Sequence, residues 1–478
     1  RLVVPGVYNI SNITGNAIPF DYKSQQRGYA FFANVDLGYK DFLFLNLTAR
    51  NDWTSVLNKV NRSYFYPSAG ISFVPTKAFE NFGGDILTHA KISASIVDAG
   101  NADIQAYDIN DRFLSAGGAG FPYSTINSFV LDPITTNPDL VNENIISQEI
   151  NMNLEFFRRR ITFDASYYTS KNKKQILGTS PSFASGTSEA TINVGETTST
   201  GLELDLGLTP VKTENVTWDL RLGYSAPKTT VDKVTEVSTQ AAVGDYLGTA
   251  GIAAIAGEQF PMIVGTGYQR DDNGNVIIDA ATGDPLKVNN VKLGKTTPDY
   301  ILGLSTSLRY KNFKLSGVFD YRTGHVFYAG VKDALIQNGT DISTAQGGRL
   351  PFVFPNSVIE TSPGVYTENT NVTTSGGQDY YTGVYREIDE NFVLDATAFK
   401  CREIALTYTF SKDFLKRVGV DGFSIGLNAR NVFMILPKEN RNYTDPEFSF
   451  TTGNNVGLST GNQAPPTRTY GINFNLTF

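Results

Sequence analysis

Five carboxylates lie in the middle of short alternating segments: Glu149, Glu155, Asp164, Glu203 and Asp205. Arg50, Lys91 and Arg221 hold comparable positions. Two carboxyls held close together, one protonated and one ionised, are the usual equipment for general acid–base chemistry. The same residue types also make a plain wetted wall, with cations set among carboxylates on one face of a sheet. The wall reading expects Arg50, Lys91 and Arg221 to neutralise those acids and assigns no catalytic role to any of them.

Other reactive groups are scarce. A single cysteine, Cys401, excludes an intramolecular disulfide framework and a cysteine-cluster metal site. The two histidines, His89 and His325, are far apart in sequence, which disfavours a zinc centre. No cofactor is expected. The stretch DDNGNVIIDAATGDPL, residues 271–286, has the look of a calcium loop, but Gly274 follows Asp271 too soon for an EF-hand. Asn273-Gly274 is a preferred hairpin-turn pair, so a turn is expected there. Glycan-acceptor triplets such as Asn46-Leu47-Thr48 and Asn475-Leu476-Thr477 fall inside alternating segments and are read as structural. A net charge of −7 argues against a nucleic-acid partner.

Aromatic side chains are the more promising contact groups. There are 32 Phe and 24 Tyr, against 2 Trp, and some of them cluster between the alternating segments. Phe121 and Tyr123, Phe352 and Phe354, and Tyr380, Tyr381 and Tyr385 form three such clusters. Their rings suit contact with a ligand, and equally with a protein partner or another loop.

The elements that position these residues are strands. In TYGINFNLTF, residues 469–478, Tyr470, Ile472, Phe474, Leu476 and Phe478 alternate with small or polar residues. The same period of two recurs along the whole chain, giving about 13 strands near the ~9–11 residues that cross a bilayer obliquely. An edge strand of a soluble sheet and a membrane-barrel strand both fit one such segment. The connections discriminate between them. Short ones, such as residues 38–41, 157–160 and 310–313, alternate with long ones at 51–63, 99–143, 171–190, 226–298, 323–396 and 436–466. Tight turns at one end and long loops at the other characterise outer-membrane barrels. The expected fold is therefore all-β, an antiparallel transmembrane barrel, with an even number of further strands inside 226–298. The last strand is expected to pair with the first, and the loops 99–143, 226–298, 323–396 and 436–466 to form an external vestibule.

Several stretches carry a family resemblance. They include RNDWTSVLNKVNRSYFYPSAGISFV (50–74), NPDLVNENIISQEINMNLEFFRRRITFDASYYTSKNKKQIL (137–177), NVGETTSTGLELDL (193–206) and APPTRTYGINFNLTF (464–478). In order and spacing the chain resembles the C-terminal barrel portion of the SusC/RagA-type TonB-dependent transporters of Bacteroidetes. The resemblance implies a multi-pass bacterial outer-membrane location and residues 1–478 as part of a plugged barrel of roughly 22 strands. No stretch resembles a plug domain or a TonB box, which precede the barrel in that family. The resemblance further implies active import of oligosaccharides or peptides, no enzymatic activity, a SusD-like lipoprotein partner, and coupling to the TonB complex through the missing N-terminal region. A passive porin-like channel, or an adhesion or secretion-associated barrel, is the alternative.

Overall fold

The computed structural model describes residues 4–8, 23–115, 129–132, 134–179, 189–235, 238–243, 250–411, 415 and 420–478. Thirteen strands form one antiparallel sheet, the wall. In chain order they are β1 (Gly28–Tyr39), β2 (Leu43–Thr54), β3 (Ser63–Phe73), β4 (Leu87–Asn101), β5 (Glu143–Phe156), β6 (Ile161–Lys173) and β7 (Glu196–Lys212). Then follow β8 (Val216–Lys233), β9 (Tyr300–Tyr310), β10 (Phe313–Thr323), β11 (Ala398–Thr409), β12 (Gly422–Ile435) and β13 (Thr469–Thr477). Each strand pairs with the next in sequence, as hairpin-joined strands do.

The short-turn end is built from tight reversals. Lys40 and Asp41 both adopt left-handed backbone, with φ of 46° and 58°. That conformation at both central residues matches the twist of the flanking strands. At the β5–β6 reversal three successive non-glycine residues are left-handed: Phe157, Arg158 and Arg159, with φ of 50°, 53° and 67°.

Alternation places the two faces of the wall in different surroundings. On β13, Tyr470, Ile472, Phe474, Leu476 and the terminal Phe478 are 49–86% exposed. An apolar row this exposed belongs against lipid. The pairing register carries the polar positions across the sheet. Arg50 lies opposite Tyr66, Ser95 opposite Glu149, and Lys91 opposite Asn153. Asn153 in turn faces Asp164, Asp164 faces Asp205, and Gly207 faces Arg221. Because strand side chains alternate, all eight charged positions singled out from the sequence share one face.

Two expectations are adjusted. No wall strand lies between Lys233 and Tyr300, so the even number in 226–298 is zero. The strands in that segment pair outside the wall sheet and belong to a separate structure at the long-loop end. The second is the pairing of the last strand with the first. Among the described residues the bonded strand order runs from β1 to β13, with β1 beside β2 and β13 beside β12, and it includes no β1–β13 row.

That separate structure is a cap. Strands Gln240–Ala242, Gly251–Ile255, Met262–Tyr268 and Lys287–Lys295 form its main sheet. Strand Val326–Ala329 lies between Val393–Asp395, antiparallel, and Leu458–Ser459, parallel. Helix Gly330–Gln337 packs beside them. One core joins all three connections: Ile252 and Ile263 from the first, Tyr328, Ile336 and Phe392 from the second, and Leu458 from the third. Complete burial of residues this size supplies the apolar free energy that holds a small domain together.

Candidate functional site

The candidate site is the polar face of the wall, which the cap meets at the long-loop end. At mid-wall an open groove of about 470 Å³ runs beside Asp164, Glu203, Asp205 and Arg221. The Arg221 guanidinium donates from Nε to both Asp205 oxygens, at 2.8 and 2.7 Å. Asn153 Nδ2 donates to Asp164 Oδ1 at 2.7 Å, and Ser166 Oγ donates to Glu149 Oε1 at 2.9 Å. Glu155 meets Arg159 at 3.3 Å. Arg50 turns to its neighbour Asp52 at 2.8 Å, rather than to the carboxylates singled out with it. Tyr66 donates its hydroxyl to the same carboxylate at 2.5 Å. Lys91 makes no ion pair with a described residue, so of the three cations only Arg221 neutralises one of the named acids. These groups lie on a wetted surface, where each pair adds little stability. The arrangement suits a lining for passage of a polar solute.

Near the long-loop end, sequence reading missed an ion cluster that ties the connection 436–468 to the wall. Lys400 of β11 is 5% exposed along its side chain and donates to Asp445, and to Glu447 at 2.6 Å. Arg402 bridges Glu447 and Asp320, and Arg322 reaches Glu447 at 2.9 Å. Burial alone would raise the Glu447 carboxyl, yet hydrogen bonds from Arg402 and Lys400 hold it down to about 2. The register places Asp320 opposite Gly303 and Lys400 opposite Asp320, so the loop docks on the polar face. Charges inside FKCREIALT were a visible hint, but a bulge between Cys401 and Glu403 breaks the alternation there. Their partners lie in a loop about which alternation says nothing.

The aromatic candidates separate by place. Phe121 and Tyr123 lie outside the described residues. Tyr380 is 4% exposed, with its ring edge-on to Phe352 at 5.3 Å and to Tyr381 at 5.0 Å. Tyr385 stands edge-on to Phe392 at 5.8 Å, and Tyr381 donates its hydroxyl to the Ser343 carbonyl at 2.9 Å. Phe354 packs on Tyr268 at 5.6 Å. These rings join loop to loop inside the cap and give it its shape. Burial accordingly pushes the Tyr380 and Tyr385 hydroxyls far up, and Tyr268 to about 12.

The 271–286 stretch forms turns. Asp271 accepts from the Asn273 and Asn275 backbone at 2.9 and 2.8 Å, and Gly274 has φ +84°. The hairpin closes through Asp271 N to Asn275 O at 3.0 Å, a longer loop than the two-residue turn expected. Among the described residues no group of three or more His, Cys, Asp or Glu side chains is placed to hold a metal ion.

Comparison with known proteins now adds to this geometry. The family model described as TonB dependent receptor-like, beta-barrel matches residues 4–432. TonB-dependent receptor P26 of Formosa agariphila is 26% identical, over 99% of this chain and 48% of its own length. TonB-dependent receptor SusC of Bacteroides thetaiotaomicron is 20% identical, over 81% of this chain and 38% of its own. The chain thus spans about half the length, or less, of these curated relatives. Among solved structures, one titled "Structure of the RagAB peptide transporter" superposes with a TM-score of 0.73 at 17% identity, covering 98% of this chain and 50% of that one.

Proposed function

The chain belongs to the TonB dependent receptor-like β-barrel family, and we propose that it is the barrel portion of an outer-membrane importer of oligomeric nutrients driven through TonB. The observation that carries this reading is the continuous polar face running under a cap with its own core. A cap built from three connections and tied to the wall by the Lys400–Glu447 cluster suits controlled entry better than an always-open pore. On this reading residues 1–478 are barrel wall and loops, and a plug and TonB box belong to another part of the parent protein. The apolar face contacts outer-membrane lipid, and the substrate is an oligosaccharide or a peptide.

The likeness to SusC and to the RagAB transporter supports a SusD-like lipoprotein resting on the cap. Ile342, Leu350 and Val365 stand exposed there, apolar groups that a partner would cover. The rings of Phe352, Phe354, Tyr381 and Tyr385 then act on ligand or partner by shaping that surface.

Uptake of labelled oligomers by cells carrying the parent protein tests the reading. Loss of uptake when the proton-motive force is collapsed or TonB is removed is expected. Uptake that persists under both treatments identifies a passive channel. Surface attachment with no uptake under any condition identifies an adhesion barrel.

A further inference from the structure

Above the charged groove, the same face of the wall changes character. A chamber of about 400 Å³ lies between the rim of β6–β8 and the cap, lined in part by Asn172, Gln175, Thr197, Ser199, Thr229 and Phe260. No charged side chain is among its described lining. Register explains why. Thr197 lies opposite Asn172, and Ser199 opposite both Ser170 and Thr229, so these neutral residues point to the polar face. At the same height Lys171 and Glu196 pair with each other at 3.6 Å, and Lys171, next to Asn172, takes the opposite face. Charges are thus turned away from the chamber by the pleat itself.

Its polar groups are also available. Ser199 and Thr229 share one hydrogen bond at 2.9 Å, which leaves further capacity on each hydroxyl. The Asn172, Gln175 and Thr197 side chains make no hydrogen bond to a described residue. Further down the same face a ring separates these residues from the charged groove. Gly201 of β7 lies opposite Tyr168 of β6, and a Cβ at Gly201 would overlap the Tyr168 ring. The ring therefore lies across Gly201, between the hydroxyls above and Glu203, Asp205 and Arg221 below.

We infer that this chamber binds an uncharged, hydroxyl-rich segment of the substrate, a neutral oligosaccharide, before it reaches the charged groove. The amides and hydroxyls match sugar hydroxyls one for one, and the Phe260 ring offers an apolar face to sugar C–H groups. The volume lies within the range of small-ligand sites. A peptide carries a charge at each free end, and an anionic glycan one on its residues; this lining offers neither a counter-charge. The inference rests on the import reading and names the substrate class for it.

Binding to the full-length protein in detergent provides the test. The probes are neutral gluco-, xylo-, manno- and galacto-hexasaccharides, sulfated and uronate hexasaccharides, and uncharged-side-chain hexapeptides. One neutral hexasaccharide is expected to bind. Asn172→Asp and Thr197→Val are each expected to weaken it about tenfold, the scale of one lost ligand hydrogen bond. Phe260→Leu weakens it several-fold, while Lys171→Gln, on the opposite face, leaves it unchanged. Heat-modifiable gel mobility checks that every variant is folded, and either Asn172→Asp or Thr197→Val suffices if the other fails that check. Equal affinity in folded variants and parent overturns the location. Preference for a peptide or an anionic glycan overturns the substrate class and leaves import standing. No binding or uptake of any probe overturns both.

Discussion

The wall and the cap solve opposite solvent problems with the same residue types. On β13 Phe474 and Ile472 stand exposed in a row, whereas in the cap Phe392, Phe327, Ile252 and Leu458 are wholly enclosed. The four buried apolar clusters among the described residues all lie in the long connections. The wall is held by its backbone ladder and needs lipid outside it. The cap is held by side-chain packing, as a water-soluble domain is. Apolar content therefore carries different energetic weight in the two regions, and substitutions of the same kind should separate them.

The largest difference is expected from Phe392→Ala, which removes a buried ring from the cap core. A loss of about 3–5 kcal/mol of cap stability is expected. Limited proteolysis should then cut within 324–397 while the wall keeps its heat-modifiable mobility. Loss of both together would show that wall and cap unfold as one unit. Next comes a charge on the lipid face. Ile472→Arg is expected to cost the barrel about 2–4 kcal/mol if the residue sits near mid-bilayer, read as lowered folding yield into lipid vesicles. An unaffected yield would place β13 away from lipid.

The ion cluster between the regions comes third. Glu447→Gln leaves Lys400 and Arg402 short of an acceptor, for about 1–3 kcal/mol. The Glu447 carboxyl is held below its ordinary value of 4.5, at about 2. Its contribution is therefore full above pH 4.5 and is lost as pH falls from there towards 2. Accessibility of 436–468 to labelling should rise over that window in the parent and stay flat in Glu447→Gln. Smallest is Arg221→Gln in the open groove. An exposed pair of this kind is worth about 0–1 kcal/mol, so thermal stability should barely move, and any change should appear in solute passage.

Much of the wall was legible because a strand records its surroundings residue by residue. Alternation in segments such as 161–167 and 202–208 marked strands, and the run of short and long connections gave each hairpin its direction. The same logic put Arg221 and Asp205 on polar positions of their strands, but which acid Arg221 would meet came only from the register. The cap was not legible, since several of its strands are too short to establish a period, Leu458–Ser459 with two residues and Gln240–Ala242 with three, and Met262–Tyr268 is buried on both faces and so does not alternate. Tyr380 looked like a surface aromatic because nothing local shows that Phe352 and Phe392 close around its cluster. Asp445 and Glu447 gave no signal, because the cations that hold them lie some 45 residues away.

The parallel pairing of Leu458–Ser459 with Val326–Ala329 sets an order in time. Tyr328 aligns with Leu458, and everything between them must be made before that bond row can form. Such distant pairings form slowly, because a long loop has to close before any contact rewards it. Each wall strand needs only its neighbour in sequence, whereas the cap core waits for a short strand near the end of the chain. A chain halted before residue 458 would hold most of its wall strands and an unfinished roof, with Ile336 and Phe392 bare. It would be a natural target for chaperones and proteases.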